Sequence, residues 1–253
     1  MNALGLVGLT VAARRRRLFA LVAFGGLFLA AAIAARLLLR DEHGHVDLDT
    51  VFVVGGYPLA SAMLLMGWVL GRYPLIATVV LLAGLFSHDR SASYARLYAV
   101  RPTSLLGVYA IRFAALAGAA FLLSAVLMPV FDLLLLGTWA GPATLVLILA
   151  YVLAYGGLMA LFSVWTGVDV WLTVFLAIFA IVWNALDVAG VLVVPPGMRD
   201  VISFVLPPQA ALLRLEEAFA GIEPIPWDAF LHVAGYGIVM LTLAALSFAR
   251  REI

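Results

Sequence analysis

The sequence predicts an all-α, polytopic membrane fold from its composition, the length of its apolar blocks and the spacing of its charges. Of 253 residues, 66% are hydrophobic and only 11% charged, and the mean hydropathy is +1.14, far outside the range of a water-soluble domain. A hydrocarbon core about 30 Å thick needs about 20 apolar residues per helix. Lipid offers the backbone no hydrogen bonds, so apolar blocks of that length are helices. The polar intervals are short, and residues 1–253 read as a single transmembrane domain.

Charges and prolines cut the chain into six spans, at Leu18–Leu39, Pro58–Phe86, Leu105–Val130, Ala143–Val164, Trp171–Val194 and Ala229–Phe248. The first run is too long for a signal-peptide core, and no small-residue cleavage pattern precedes Arg36 and Arg40. Val51–Phe86 is too long for one upright helix and too short for two, so the second span is expected to begin at Pro58 and bend at Pro74.

All fifteen basic residues are arginine, and their distribution sets the expected orientation. Cytoplasmic loops carry the excess of positive charge. With both termini in the cytoplasm, that side holds Arg14, Arg15, Arg16, Arg17, Arg90, Arg96, Arg101, Arg250 and Arg251. The outside keeps Arg36, Arg40, Arg199 and Arg214. Residues 1–17 form a cytoplasmic lead-in, with Asn2–Ala13 read either as an amphipathic helix along the inner surface or as a membrane-proximal tail.

Residues 87–104 form the longest polar interval between apolar blocks, and this orientation makes it cytoplasmic. Read as a helix, it brings Tyr94, Leu97, Tyr98 and Arg101 onto one face, and Pro102 ends it by forcing Arg101 out of helical geometry. Periodicity alone leaves two readings open, an interfacial anchor and a partner-binding element.

The stretch "YPLIATVVLLAGLFSHDRSASYARLYAVRPTSLLGVYAIRF" resembles the signature region of type-2 ABC exporter permeases. That family has an inner proline in the second span, an acidic turn, a leucine-containing short helix, a proline with a small polar residue, and a third span opening near a basic residue. Pro74, Asp89, Ser91, Leu97, Pro102, Thr103 and Arg112 stand at those places. "VWNALDVAGVLVV", "LPPQAALLRL" and the terminal "FARREI" follow in the family's order, so the resemblance covers nearly the whole chain. It is nearest to the permeases of nitrous-oxide-reductase maturation systems. The family usually has Glu followed by Gly in the turn, where this chain has His88, Asp89 and Arg90 and then Ala92.

The resemblance implies a permease subunit of a prokaryotic inner membrane, working as a homodimer or as a pseudo-dimer with a related permease. Its short cytoplasmic helix would couple to a separate ATP-binding-cassette subunit, through His88, Asp89, Arg90, Tyr94, Arg96, Leu97, Tyr98, Arg101 and Pro102. ATP and Mg would sit on that partner, since this chain has no G-x-x-x-x-G-K-[ST] loop and binds no cofactor of its own. The alternative is a non-transporting anchor or assembly subunit that docks a soluble complex through the same helix. Neither reading involves nucleic acid.

Polar residues at membrane depth are costly and mark sites or pairings. Arg72, Asn184 and Asp187 are the intramembrane candidates, with Arg72 and Asp187 expected to pair across the bundle. Asp132 and Asp169 read as interfacial residues at span ends. His43 and His45 lie in "DEHGHVDLD", which without further spaced ligands reads as a solvated acidic loop rather than a metal site. With no cysteine, and no Ser, His and acid grouping around Ser61, Ser87 or Ser124, no catalytic site is expected. Residues 195–228 form an outer segment with a helix expected at Gln209–Ala220, which either caps a pathway or lies on the membrane surface.

Overall fold

The computed structural model describes residues 3–38, 53–54, 57–58, 72–87, 104–135, 139, 141–191, 194–219 and 224–251. These residues form nine helices and one minimal hairpin. The helices are α1 (Ala3–Ala13), α2 (Arg15–Leu38), α3 (Tyr73–Leu82), α4 (Leu105–Leu135), α5 (Pro142–Trp165), α6 (Asp169–Val188), α7 (Pro196–Val205), α8 (Gln209–Phe219) and α9 (Trp227–Arg251). Strands β1 (Val53–Val54) and β2 (Tyr57–Pro58) pair antiparallel.

Five helices, α2, α4, α5, α6 and α9, are long and apolar enough to cross a membrane, as an integral membrane protein requires. They coincide with five of the six expected spans. The second span is different. Pro58 lies in β2, paired with Val53, and does not open a helix. Pro74 sits in the first turn of α3, where a missing N–H costs nothing, and residues 59–71, on which the expected bend depends, lie outside the described residues. At ten residues α3 is about 15 Å long, half a bilayer core.

Helix α5 is the axis of the bundle, with Leu147, Ile148, Tyr151, Tyr155, Leu158 and Met159 all buried. It descends from an upper end at Pro142 to a lower end at Trp165. Helix α9 runs parallel to it, Leu153 meeting Gly237 and Ala160 and Val164 meeting Ala244 further down. The two backbones approach closely where Gly157 of α5 and Gly237 of α9 carry no side chain. A Cβ on Gly237 would lie 2.5 Å from the Leu153 carbonyl oxygen, and one on Gly157 would lie 2.7 Å from that of Gly237. Small residues that let backbones approach are the usual means of joining helices where lipid removes the hydrophobic drive.

Helix α3 lies beside α5 and descends with it, Leu82 reaching Gly156. Helices α2 and α4 ascend around it, with Leu127 of α4 packed on Gly25 of α2. Helix α4 is 31 residues long with Pro129 inside it. Helix α1 packs against α4, burying Leu6 and Thr10 one turn apart while Leu4 and Leu9 face out.

The segment expected to cap a pathway or lie on the membrane surface packs the link between its two helices against the bundle. Helices α7 and α8 form a re-entrant hairpin whose tip, Leu206–Gln209, is buried. Gln209 Nε2 donates to the Tyr155 hydroxyl at 2.5 Å, and the Tyr236 hydroxyl donates to the Val205 carbonyl at 3.1 Å. Tyr155 lies about 20 Å along α5 from Pro142, so the tip reaches deep between the spans. The two tip prolines carry no N–H to leave unpaired. Helix α8 begins at Gln209, as its sequence predicts, and buries Leu212 and Leu215.

Candidate functional site

Helix α3 is held at both ends by charge. At its lower end, Ala83 (φ −50, ψ 122) and Gly84 (φ 70) make a type II turn closed by Leu85 N–H to the Leu82 carbonyl at 3.0 Å. Glycine is required there for the positive φ. The carbonyls left open at this helix end are met by the basic run between α1 and α2. Arg17 donates to the Val80 and Ala83 carbonyls at 3.1 and 2.6 Å, and Arg14 to that of Gly84 at 3.2 Å. A guanidinium at a helix C-terminus satisfies orphan acceptors and opposes the helix dipole together.

The N–H groups of the same turn are also bound. Asp169, at the start of α6, accepts from Gly84 at 2.9 Å, and Ser163 of α5 accepts from Phe86 and Ser87 at 2.8 and 3.2 Å. Arg14, Arg17, Ser163 and Asp169 thus fix the backbone of Ala83, Gly84, Phe86 and Ser87. The sequence placed Asp169 and Asp132 at the interface. Asp169 is 3% exposed because the turn draws it inward, and Asp132 is 4% exposed on α4, with its Oδ2 unpartnered.

The described backbone stops at Ser87 after this turn and resumes at Ser104. The Ser104 hydroxyl caps α4 by accepting from Gly107 N–H at 3.2 Å. The rings of Phe86 and Tyr109 lie 4.6 Å apart and both touch Phe248, so these two ends are neighbours. The expected coupling residues, His88, Asp89, Arg90, Tyr94, Arg96, Leu97, Tyr98, Arg101 and Pro102, lie outside the described residues, as do His43 and His45.

At the upper end of α3, Arg72 does not meet Asp187. Its guanidinium donates to Glu216 of α8 at 3.0 Å, and the Tyr151 hydroxyl donates to the other oxygen of that carboxylate. Asp187 instead accepts from Arg199 of α7 at 2.5 Å. The hairpin explains the exchange: by dipping between the spans, α8 brings a carboxylate to Arg72 that the sequence placed outside. Burial pushes the Glu216 carboxyl above its usual range, and the bonds from Tyr151 and Arg72 pull it back.

Asn184 and Asp187 do line one cavity, with Trp183, Arg214 and His232, between α6, the hairpin and α9. Arg112 stacks on Tyr109, its guanidinium carbon 5.5 Å from the ring centre. Among the described residues no three metal-ligating side chains gather. Sequence reasoning missed Arg14, Arg17, Ser163, Asp169, Tyr151 and Glu216. The one available signal was Arg72, a charge at depth that had to have a partner.

Comparison of the chain with protein-family models, with curated proteins and with solved structures finds no match.

Proposed function

We propose that this chain is the membrane-spanning subunit of an ATP-binding-cassette exporter and works as a permease dimer, homodimeric or paired with a related permease. ATP and Mg are held by a separate subunit. Both termini face the cytoplasm of a prokaryotic inner membrane, and the lower end of the bundle is the cytoplasmic one.

The observation that carries this reading is the exit turn of α3. A surface loop has no use for two arginines, a buried carboxylate and a serine fixing its first residues. A force-bearing connection does. Residues 88–103 join Ser87 to Ser104, whose neighbours Phe86 and Tyr109 are in contact, so motion imposed on that segment by an ATPase would pass into α3. From α3 it passes through Arg14 and Arg17 to α2, through Asp169 to α6, and through Arg72 to the hairpin. Such a path moves packed helices as bodies, the usual form of a switch between two packings. The sequence resemblance supports the same assignment.

The test is purification of the tagged chain from membranes of its source cell in mild detergent, with identification of co-purifying chains and an ATPase assay in lipid. The reading predicts a stoichiometric ATP-binding-cassette protein and vanadate-sensitive hydrolysis. A stable soluble partner without an ATP-binding cassette would replace it with the anchor reading.

A further inference from the structure

The basic run Arg14 to Arg17 joins α1 to α2, and the helical period divides it. Arg14 and Arg17 stand three residues apart, on one side, and turn inward to the carbonyls at the end of α3. Arg15 and Arg16 are exposed, and among the described residues neither has a hydrogen bond or an ion pair. Two adjacent guanidiniums are thus free to take a ligand. With Ala12 and Ala13 the run lines one open groove whose lining includes no carboxylate.

The position of the groove selects what can fill it. Arg15 is the first residue of a membrane-length helix, so both free guanidiniums stand at the level of lipid headgroups. From there α2 presents an exposed stripe: Arg16, Ala20, Ala23 and Leu27 follow the i, i+4, i+7, i+11 spacing of one helix face. Phe19 beside them is 79% exposed and Leu27 70%. Between these two large side chains, the small Ala20 and Ala23 leave a channel along which an acyl chain can lie.

Charge narrows the class. A guanidinium meets two phosphate oxygens at once, and arginines at a membrane surface draw anionic lipid. The ammonium of a zwitterionic headgroup would find no carboxylate in this groove and would be repelled by the run. A free phosphate would satisfy the two arginines but leave the apolar channel above them uncovered. Net negative charge on an acyl-bearing molecule fits both parts.

We infer that the α1–α2 joint binds an anionic phospholipid, with its phosphate on Arg15 and Arg16 and an acyl chain along Ala20 and Ala23. The bound phosphate also offsets the repulsion among neighbouring guanidiniums, so the same lipid steadies Arg14 and Arg17 on the turn after α3. This inference needs only that α2 crosses a bilayer, so it stands or falls separately from the exporter reading.

The test is native mass spectrometry of the delipidated chain, offered phosphatidylglycerol and phosphatidylcholine of matched acyl chains, with and without a large excess of inorganic phosphate. Wild type is expected to retain phosphatidylglycerol roughly tenfold or more over phosphatidylcholine, the scale of two arginines at a membrane surface, and to keep it when phosphate is added. R15Q/R16Q should abolish that preference. A20F/A23F, which fills the channel and keeps every charge, should lower phosphatidylglycerol retention several-fold. Lipid-free melting midpoints near that of wild type show that both variants fold. Equal retention of the two lipids by wild type would overturn the inference, as would displacement of phosphatidylglycerol by phosphate, an unchanged preference in R15Q/R16Q or unchanged retention in A20F/A23F. If either variant fails to fold, the wild-type competition between the lipids and with phosphate decides alone.

Discussion

Arg72 and Glu216 stand 144 residues apart in sequence and 3.0 Å apart in space, and their pair joins the start of α3 to the hairpin that follows α6. With side chains only 13% and 16% exposed, the pair is worth most when intact, because removing one partner strands the other charge. R72A and E216A should each lower stability by about 3 kcal/mol. The double variant should lose less than the sum, with a coupling energy of about 1–3 kcal/mol in a thermal or denaturant double-mutant cycle. A coupling energy near zero would mean that the contact does not hold the hairpin.

Glu216 also sets a pH dependence. Its carboxyl is raised by burial, so the folded chain keeps the proton to a higher pH than the unfolded one, whose carboxyl titrates near about 4.3. The stabilisation is complete below that value and is lost as pH rises through the folded value. Wild type should therefore lose more melting temperature than E216Q between about pH 4.5 and pH 7. Parallel melting curves for the two proteins would remove Glu216 as the source.

The turn after α3 makes a third prediction. D169A strands the Gly84 N–H and S163A those of Phe86 and Ser87, at about 1–3 kcal/mol each. Both should melt several degrees lower. Because both side chains hold one turn, the losses should be less than additive in a melting series. Full additivity would show that the two anchors act independently.

Much of this architecture was legible in the sequence, for a definite reason. Apolar block length fixes a span whatever it packs against, so α4, α5, α6 and α9 begin within two residues of their expected starts. The start of α8 at Gln209 was legible because Pro207 and Pro208 cannot continue a helix. The partner of Arg72 was not. Local pattern cannot distinguish a polar helix on the surface from one folded back into the bundle, and that difference decides whether Glu216 or Asp187 meets Arg72. Asp169 stands at the start of a span as expected, but its bond to the Gly84 N–H was not legible, because that irregular turn is formed 85 residues earlier in the chain.

The junction of α5 and α9 is the simplest packing prediction. G237A places a Cβ 2.5 Å from the Leu153 carbonyl oxygen, and that backbone cannot yield without parting the helices. G235A, two residues away on the same helix, meets nothing within 4 Å. G237A should cost about 1–3 kcal/mol and G235A should be neutral or slightly stabilising, read as melting midpoints in one detergent. Equal behaviour of the two would contradict the close approach.

The central claim is that the basic segment leaving the α3 turn transmits work from an ATPase. Replacing Arg96 and Arg101 with glutamate reverses two charges in that segment while leaving the apolar spans untouched. The decisive measurement is ATPase activity in lipid vesicles of the complex carrying R96E/R101E, beside the co-purified amount of ATP-binding partner. The account predicts normal insertion of the permease, with partner recovery or coupled hydrolysis reduced roughly tenfold or more, the scale of a lost interfacial charge pair. Equal partner recovery and unchanged hydrolysis would contradict it and leave the segment an interfacial anchor.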